Sequence, residues 1–286
     1  MMLENWSCLD PAGGLGRERR GTRRGRNLHL EAIRRLIGDF GLQAVELNGD
    51  FTTLFPDAFD EGYYRGVAEL QQGLGFACTV HLPFLWLDGL SLAEPVRKAT
   101  VQCVAKVVEL AQPLSIESYV LHLWGMWSSL LATIQVMPDE EKRTLLDEML
   151  CSAARTLDEI GGMVSPRTVC VENLERFPFQ TILPLVTERD MRVCLDVGHL
   201  AVDGGDALEF LRQHWELIGE VHLHDALPGG AHGPGVRDHL PLGRGQVDYE
   251  RIMDRLAEGG YEGVLILEVN TEAHLRESVE RVRPWL

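Results

Sequence analysis

From residue 40 to the end, short β-branched apolar runs alternate with longer stretches of helical periodicity, and no other feature restricts the possible folds as much. Strand patterns fall at 5–9 (NWSCL), 44–47 (AVEL), 77–82 (ACTVHL), 118–123 (SYVLHL), 168–173 (TVCVEN), 192–197 (RVCLDV), 220–225 (EVHLHD) and 264–269 (VLILEV). Helical patterns lie near 28–39, 60–73, 93–111, 139–161, 179–189, 205–216, 249–258 and 272–282, with Gly or Pro at most junctions. Strict alternation implies a parallel sheet, and eight such units imply closure into a (β/α)8 TIM barrel. An open doubly wound sheet would want a Gly-rich phosphate turn after an early strand, and GGLGRE at 13–18 is too irregular to serve. No linker or composition break divides 40–286, so residues 1–286 read as a single domain. The first unit is the anomaly. Its strand is short, and 11–27 is long for a strand-to-helix connection, so that stretch reads as a flexible Arg- and Gly-rich loop.

The formal charge is −16, although RERRGTRRGR at 17–26 is strongly basic. A body this acidic repels a phosphate backbone, which argues against nucleic acid as partner. The Arg-rich stretch lacks interleaved aromatics and reads as solvated. Six cysteines never fall into CxxC, a pattern of free thiols in a reducing compartment rather than of a disulfide framework or a structural zinc cluster. Residues 118–138 carry no Asp, Glu, Lys or Arg, but His122, Gly125, Ser128, Ser129 and Gln135 interrupt them, so no membrane span is expected. The N-terminus has no long apolar core behind a basic start, and the expected location is the cytoplasm.

In a TIM barrel, functional groups gather where strands end at the carboxyl face. Here those ends carry His81, His122, Glu172, Asp196 with His199, His222 with His224 and Asp225, and Glu268, and the loop after 220–225 adds His239. Each has an ordinary explanation alone: a satisfied core histidine, a helix cap, a glutamate paired with Arg244. Together they place several carboxylates and imidazoles in one buried region, which costs several kcal/mol per uncompensated ion, on the order of what a cation must offset. A divalent metal is the simplest compensation. Oxygen and imidazole donors without thiolates suit Zn, Mn or Co over Mg. His224 and Asp225 are expected to orient ligands rather than bind metal.

The ordered set TVHLPF, YVLHLWG, VCVENLE, VCLDVGH, EVHLHDA, DHLPLGRGQVDY and VLILEV resembles the strand ends of the xylose-isomerase-like TIM barrels over roughly residues 40–286. That superfamily contains sugar phosphate isomerases and epimerases and the endonuclease IV type of enzyme. The isomerase branch implies one metal on Glu172, Asp196, His222 and Glu268, with the two glutamates moving protons. The endonuclease IV branch implies up to three zinc ions and adds His81, His122, His199 and His239. There an Asp stands two residues before the position of His239; this chain has Arg237, with Asp238 adjacent, which puts a third ion in doubt. The stretch from TVHLPF to YVLHL, with VENLE, CLDVGHL, RDHL and the LEV ending, is similar to cobamide-remodelling phosphodiesterases, which implies hydrolysis of a corrinoid phosphoester. The N-terminal region lacks that group's first-strand pattern, and LGRGQVDY is closer to the isomerase form.

Two chemistries therefore compete. A hydrolase would use two or more metals, with Glu172 bridging them or orienting water and His199 assisting. An isomerase or epimerase of a sugar or sugar phosphate would use one metal, with Glu172 and Glu268 as acid and base. A barrel that binds a sugar or corrinoid without catalysis is the third possibility. Trp86, Trp124 and Trp127 fall in loops at the same face, either to stack on a substrate ring or to pack loops and the subunit contact of a homo-oligomer. Arg244 is a candidate phosphate clamp or a surface ion pair.

Overall fold

A computed structural model describes residues 23–125, 128–129, 138–227 and 238–286. The predicted strand at 5–9, most of the expected loop at 11–27, Trp127 and Arg237 lie outside the described residues. The described residues begin in helix α1 (Arg23–Gly38), so the helix covers the end of the stretch expected to be loop. It then runs β1 (Ala44–Asn48), α2 (Asp50–Leu54), α3 (Glu61–Leu74), β2 (Ala77–His81), α4 (Glu94–Ala111), β3 (Ile116–Leu121), α5 (Asp139–Gly161) and β4 (Val169–Glu172). The second half contains α6 (Leu183–Glu188), β5 (Arg192–Asp196), α7 (Val197–Val202), α8 (Ala207–His214), β6 (Ile218–Leu223), α9 (Tyr249–Glu258), β7 (Val264–Leu267) and α10 (Glu272–Val282).

Among the described residues, seven parallel strands pair in the order β1 to β7, and β1 also approaches β7, so the sheet curls into a nearly closed barrel. None of the described helices is long and apolar enough to cross a membrane. The period of two along each strand sorts the side chains. Val45, Leu47, Val80, Tyr119, Leu121, Val171, Val193, Leu195, Val221 and Leu223 join the main core beneath the helices, whereas Val120, Cys170 and Cys194 form a separate small cluster. Alternate residues of the same strands therefore point inward, and this second set carries the chemistry.

Two short helices escape the sequence pattern because neither has an amphipathic repeat long enough to see. Helix α7 is started by Asp196, whose carboxylate accepts the His199 N–H at 2.6 Å, so it turns directly off the end of β5. Helix α2 begins at Asp50, which is 1% exposed and accepts from the backbone N–H groups of Phe84 and Leu85 at 3.1 and 3.0 Å. These bonds tie the loop after β2 to the loop after β1.

Candidate metal centre

The strand ends expected to carry function converge at the carboxyl end of the barrel. Glu172 closes β4, Asp196 closes β5, His222 lies in β6 and Glu268 follows β7; the first three are fully buried and Glu268 is 3% exposed. One donor atom from each of these four lies within 4.8 Å of the others. A second set, His81, His122 and Glu172, meets the same distance condition.

Glu172 belongs to both sets through different oxygens. Its Oε2 faces His122 Nε2 at 2.9 Å and His81 Nε2 at 3.3 Å. Its Oε1 faces His199 Nδ1 at 3.4 Å and His222 Nδ1 at 3.5 Å. The two imidazoles on the Oε2 side are themselves only 3.1 Å apart, nitrogen to nitrogen. Despite this crowding, no donor is oriented to hydrogen-bond either oxygen of Glu172, and Glu268 Oε2 and His222 Nδ1 are likewise buried without a hydrogen bond. Buried carboxylate and imidazole donors gathered this closely without an oriented hydrogen bond are what a cation would satisfy, so the donors fit a divalent metal.

The electrostatics point the same way. Burial works to raise the Glu172 and Glu268 carboxyls, but the histidines around them outweigh it and hold both well below the usual carboxylate range. Burial lowers the His122 imidazole, and Glu172 only partly offsets it. Burial also works to lower His199, yet Asp196, Glu172 and Glu175 overcome it and keep that imidazole's pKa well above its ordinary value.

The supporting residues are as specific as the ligand candidates. The Asn173 side-chain amide pairs with the Asp196 backbone in both directions, Nδ2 to O at 2.8 Å and N to Oδ1 at 2.9 Å, and so fixes the end of β5 against β4. His224 Nδ1 accepts the His239 backbone N–H at 2.8 Å, which leaves its proton on Nε2, directed at both Asp196 oxygens at 3.1 Å. With both nitrogens engaged, His224 orients Asp196 and has no lone pair to offer a metal, although it sits close enough to His199 and His239 to form a third potential ligand group. Gly198 is required there: a Cβ on it would lie 1.9 Å from His224 Cε1. Asp225 holds the loop instead of a ligand, its carboxylate accepting backbone N–H groups of Ala226, Gly243, Gly245 and Val247 at 2.7–2.9 Å. That loop seats His239, whose φ of +50° is a left-handed backbone, with Nε2 at 3.1 Å from Glu268 Oε1. Its neighbour Asp238 is held down to about 2 by the His239 imidazole.

Two open alternatives are narrowed. Trp124 is 2% exposed and packs on Phe177 with ring centroids 4.8 Å apart, so it is core and cannot stack on a substrate. Arg244 is exposed and pairs with Glu277 at 2.9 Å, the surface ion pair among its two readings. Trp86, by contrast, is 82% exposed on the loop after β2, at a φ of +60°. A cavity of about 1270 Å³ opens at the amino end of the strands, lined by Ala44, Ala77, Ser118, Arg192 and Tyr261 among others, the opposite end from the one that carries the ligand candidates.

Comparison with known proteins now assigns the chain. The family described as xylose isomerase-like TIM barrel matches residues 35–285. The chain belongs to this family. Xylose isomerase-like relatives include an uncharacterized protein of Methanocaldococcus jannaschii, 27% identical over 76% of this chain and 73% of that one. An inosose dehydratase of Clostridium botulinum is 26% identical over 51% of this chain and 46% of its own. A D-tagatose 3-epimerase-like protein of known structure superposes with a TM-score of 0.68 at 24% identity, over 85% of this chain and 88% of that one.

Glu46 and Glu220 escaped the strand-end reading because neither closes its strand. Both are fully buried inside the barrel, on β1 and β6. The signal was present as carboxylates in AVELN and IGEVHL, with Glu220 in phase with His222.

Proposed function

We propose that the protein is a divalent-metal-dependent enzyme that hydrolyses a phosphoester, with Glu172 contributing to both groups of residues that would hold cations. The observation that carries this reading is the division of Glu172 between its neighbours, His81 and His122 on Oε2 and His199 and His222 on Oε1, together with its place in both the His81, His122 group and the Asp196, His222, Glu268 group. Cations there would supply Lewis acidity toward a phosphoryl group and make water nucleophilic near neutral pH. The chain's own residues do the rest. Glu172 and Asp196 hold the geometry, and Asn173 and His224 keep Asp196 in place. His199, with Glu175 3.7 Å from its Nε2, stands ready to give a proton to a leaving oxygen. The resemblance to cobamide-remodelling phosphodiesterases makes a corrinoid phosphoester the first substrate to test.

A sugar isomerase or epimerase is the second reading, favoured by the named activities of relatives and structural neighbours. It asks Glu172 and Glu268 to move protons. Both oxygens of Glu172 are already faced by imidazoles, which weighs against that role. Metal analysis of purified protein with parallel hydrolysis and epimerisation assays decides between them. Two bound ions per chain with phosphoester turnover, lost in Glu172→Gln, is the expected result. One ion with epimerase turnover would replace the first reading by the second.

A further inference from the structure

Beneath the candidate centre, the barrel interior has a second polar layer. A barrel of this kind normally fills its interior with bulky branched side chains. Here the layer holds Glu46, Thr79, Ser118 and Glu220, all at most 3% exposed. Thr79 Oγ1 donates to Glu46 Oε2 at 3.4 Å, and the Ser118 hydroxyl bonds to Glu220 Oε2. That leaves Oε1 of each glutamate, and Nε2 of His222 beside them, buried without an oriented hydrogen bond. Both oxygens point at the same atom: His222 Nε2 lies 3.4 Å from Glu46 Oε1 and 3.8 Å from Glu220 Oε1.

We infer that Glu46 is the positioning residue that keeps the His222 proton on Nε2 and so presents the Nδ1 lone pair to the ligand cluster. The inference rests on the metal reading above. A neutral imidazole has one N–H and one lone pair. The Nδ1 of His222 faces Glu268 Oε2 at 3.1 Å, Glu172 Oε1 at 3.5 Å and Asp196 Oδ2 at 3.9 Å, three carboxylates that a proton there would satisfy equally well. In the tautomer with that proton, His222 could not be a ligand. An acceptor behind the ring reverses the preference, since a buried N–H must find a partner and a carboxylate is the strongest available. Glu46 is the nearer of the two, and it reaches His222 from β1, so it ties the barrel's first described strand to its sixth. Cys194, which shares a potential ligand group with Glu172 and His222, offers only a weak sulfur acceptor. A second cation in the Glu46, Glu220 and His222 cradle would demand that His222 lose both ring protons, so a proton kept on Nε2 and facing Glu46 is the simpler account.

The test uses full-length protein labelled with 15N-histidine, Zn2+ affinity by chelator competition, and the variants Glu46→Gln and Glu46→Leu. The amide oxygen of Gln can still accept; Leu cannot. Expected for the wild type, with and without Zn2+, is a protonated His222 Nε2 whose proton resonates downfield. In Glu46→Leu that resonance is lost or moves upfield and Zn2+ affinity falls roughly 10- to 100-fold, while Glu46→Gln stays within a few-fold of wild type. A residue that merely fills space would lower the melting temperature of Glu46→Leu and leave affinity unchanged, which overturns the inference. A Zn2+-loaded wild type with His222 Nε2 unprotonated overturns it without any variant. Wild-type protein that takes up no metal overturns the metal reading and this inference together, an outcome distinct from the other two.

Discussion

At the level of single residues, the site is decided by which atom of each side chain faces inward, and neighbours set that as much as the ligands do. His224 shows this best. It looks like a ligand by residue type, yet the His239 N–H on its Nδ1 turns its remaining proton toward Asp196. The packing of Gly198 against that ring makes a sharp prediction. In Gly198→Ala the new methyl would overlap the imidazole, His224 must swing away, and Asp196 loses both bonds. Metal affinity measured by chelator competition is expected to fall about 10- to 100-fold while the far-UV circular dichroism is retained. Unchanged affinity would show that His224 does not orient Asp196. Arg244→Ala is the contrasting case. The residue is a solvent-facing partner of Glu277, so neither turnover nor melting temperature should change, and a large loss of turnover would restore it as a phosphate clamp.

At the level of elements, helix α1 carries a buried weak point. His29 is 3% exposed, its Nδ1 lacks a hydrogen bond, and Phe51, Phe59 and Tyr63 surround the ring with centroids at 5.0, 4.8 and 6.4 Å. Burial pushes its pKa down to about 4. Because the folded imidazole binds a proton less readily than the unfolded one, its stabilising neutral form is fully present above about pH 6.5 and is lost as pH falls toward 4. The shift corresponds to about 3 kcal/mol across that window. Urea denaturation at pH 7 and pH 4.5 is expected to show a drop in stability that is smaller in His29→Leu by on the order of this amount. Equal pH dependence in the two proteins would mean that protonation of His29 does not loosen the helix. The elements also show where the sequence was readable. Strands β1 to β7 and the long helices α3, α4, α5, α9 and α10 follow local periodicity and were placed to within about two residues at their ends, the ordinary uncertainty of helix and strand boundaries. Helices α2 and α7 depend on side-chain caps and loop anchoring at strand ends, which leave no repeat to detect.

For the whole molecule, the charge of −16 and the buried carboxylates of the centre act together. Bound cations should stabilise the fold by binding the native state alone, about 2.7 kcal/mol at a free concentration one hundred times Kd. Thermal unfolding with Zn2+ or Mn2+, against a chelator control, should therefore show an upward shift that is lost in Glu172→Gln. The same acidity predicts no retention of duplex DNA at physiological salt in a gel-shift assay. A clear shift under those conditions would overturn that expectation.

What the sequence determined by itself is the barrel and the level at which its polar residues cluster, since both follow from periods of two and 3.6 residues that are local properties of the chain. It also placed Glu172, Asp196, His222 and Glu268 together, because a parallel barrel brings all strand ends to one face. Only the tertiary structure decided how these groups divide the work. That Glu172 serves two donor sets, that His224 supports Asp196, that Trp124 is core and that Glu46 stands behind His222 all depend on register across strands and on barrel closure. Those relations join residues as far apart in sequence as β1 and β6, where no local pattern reaches.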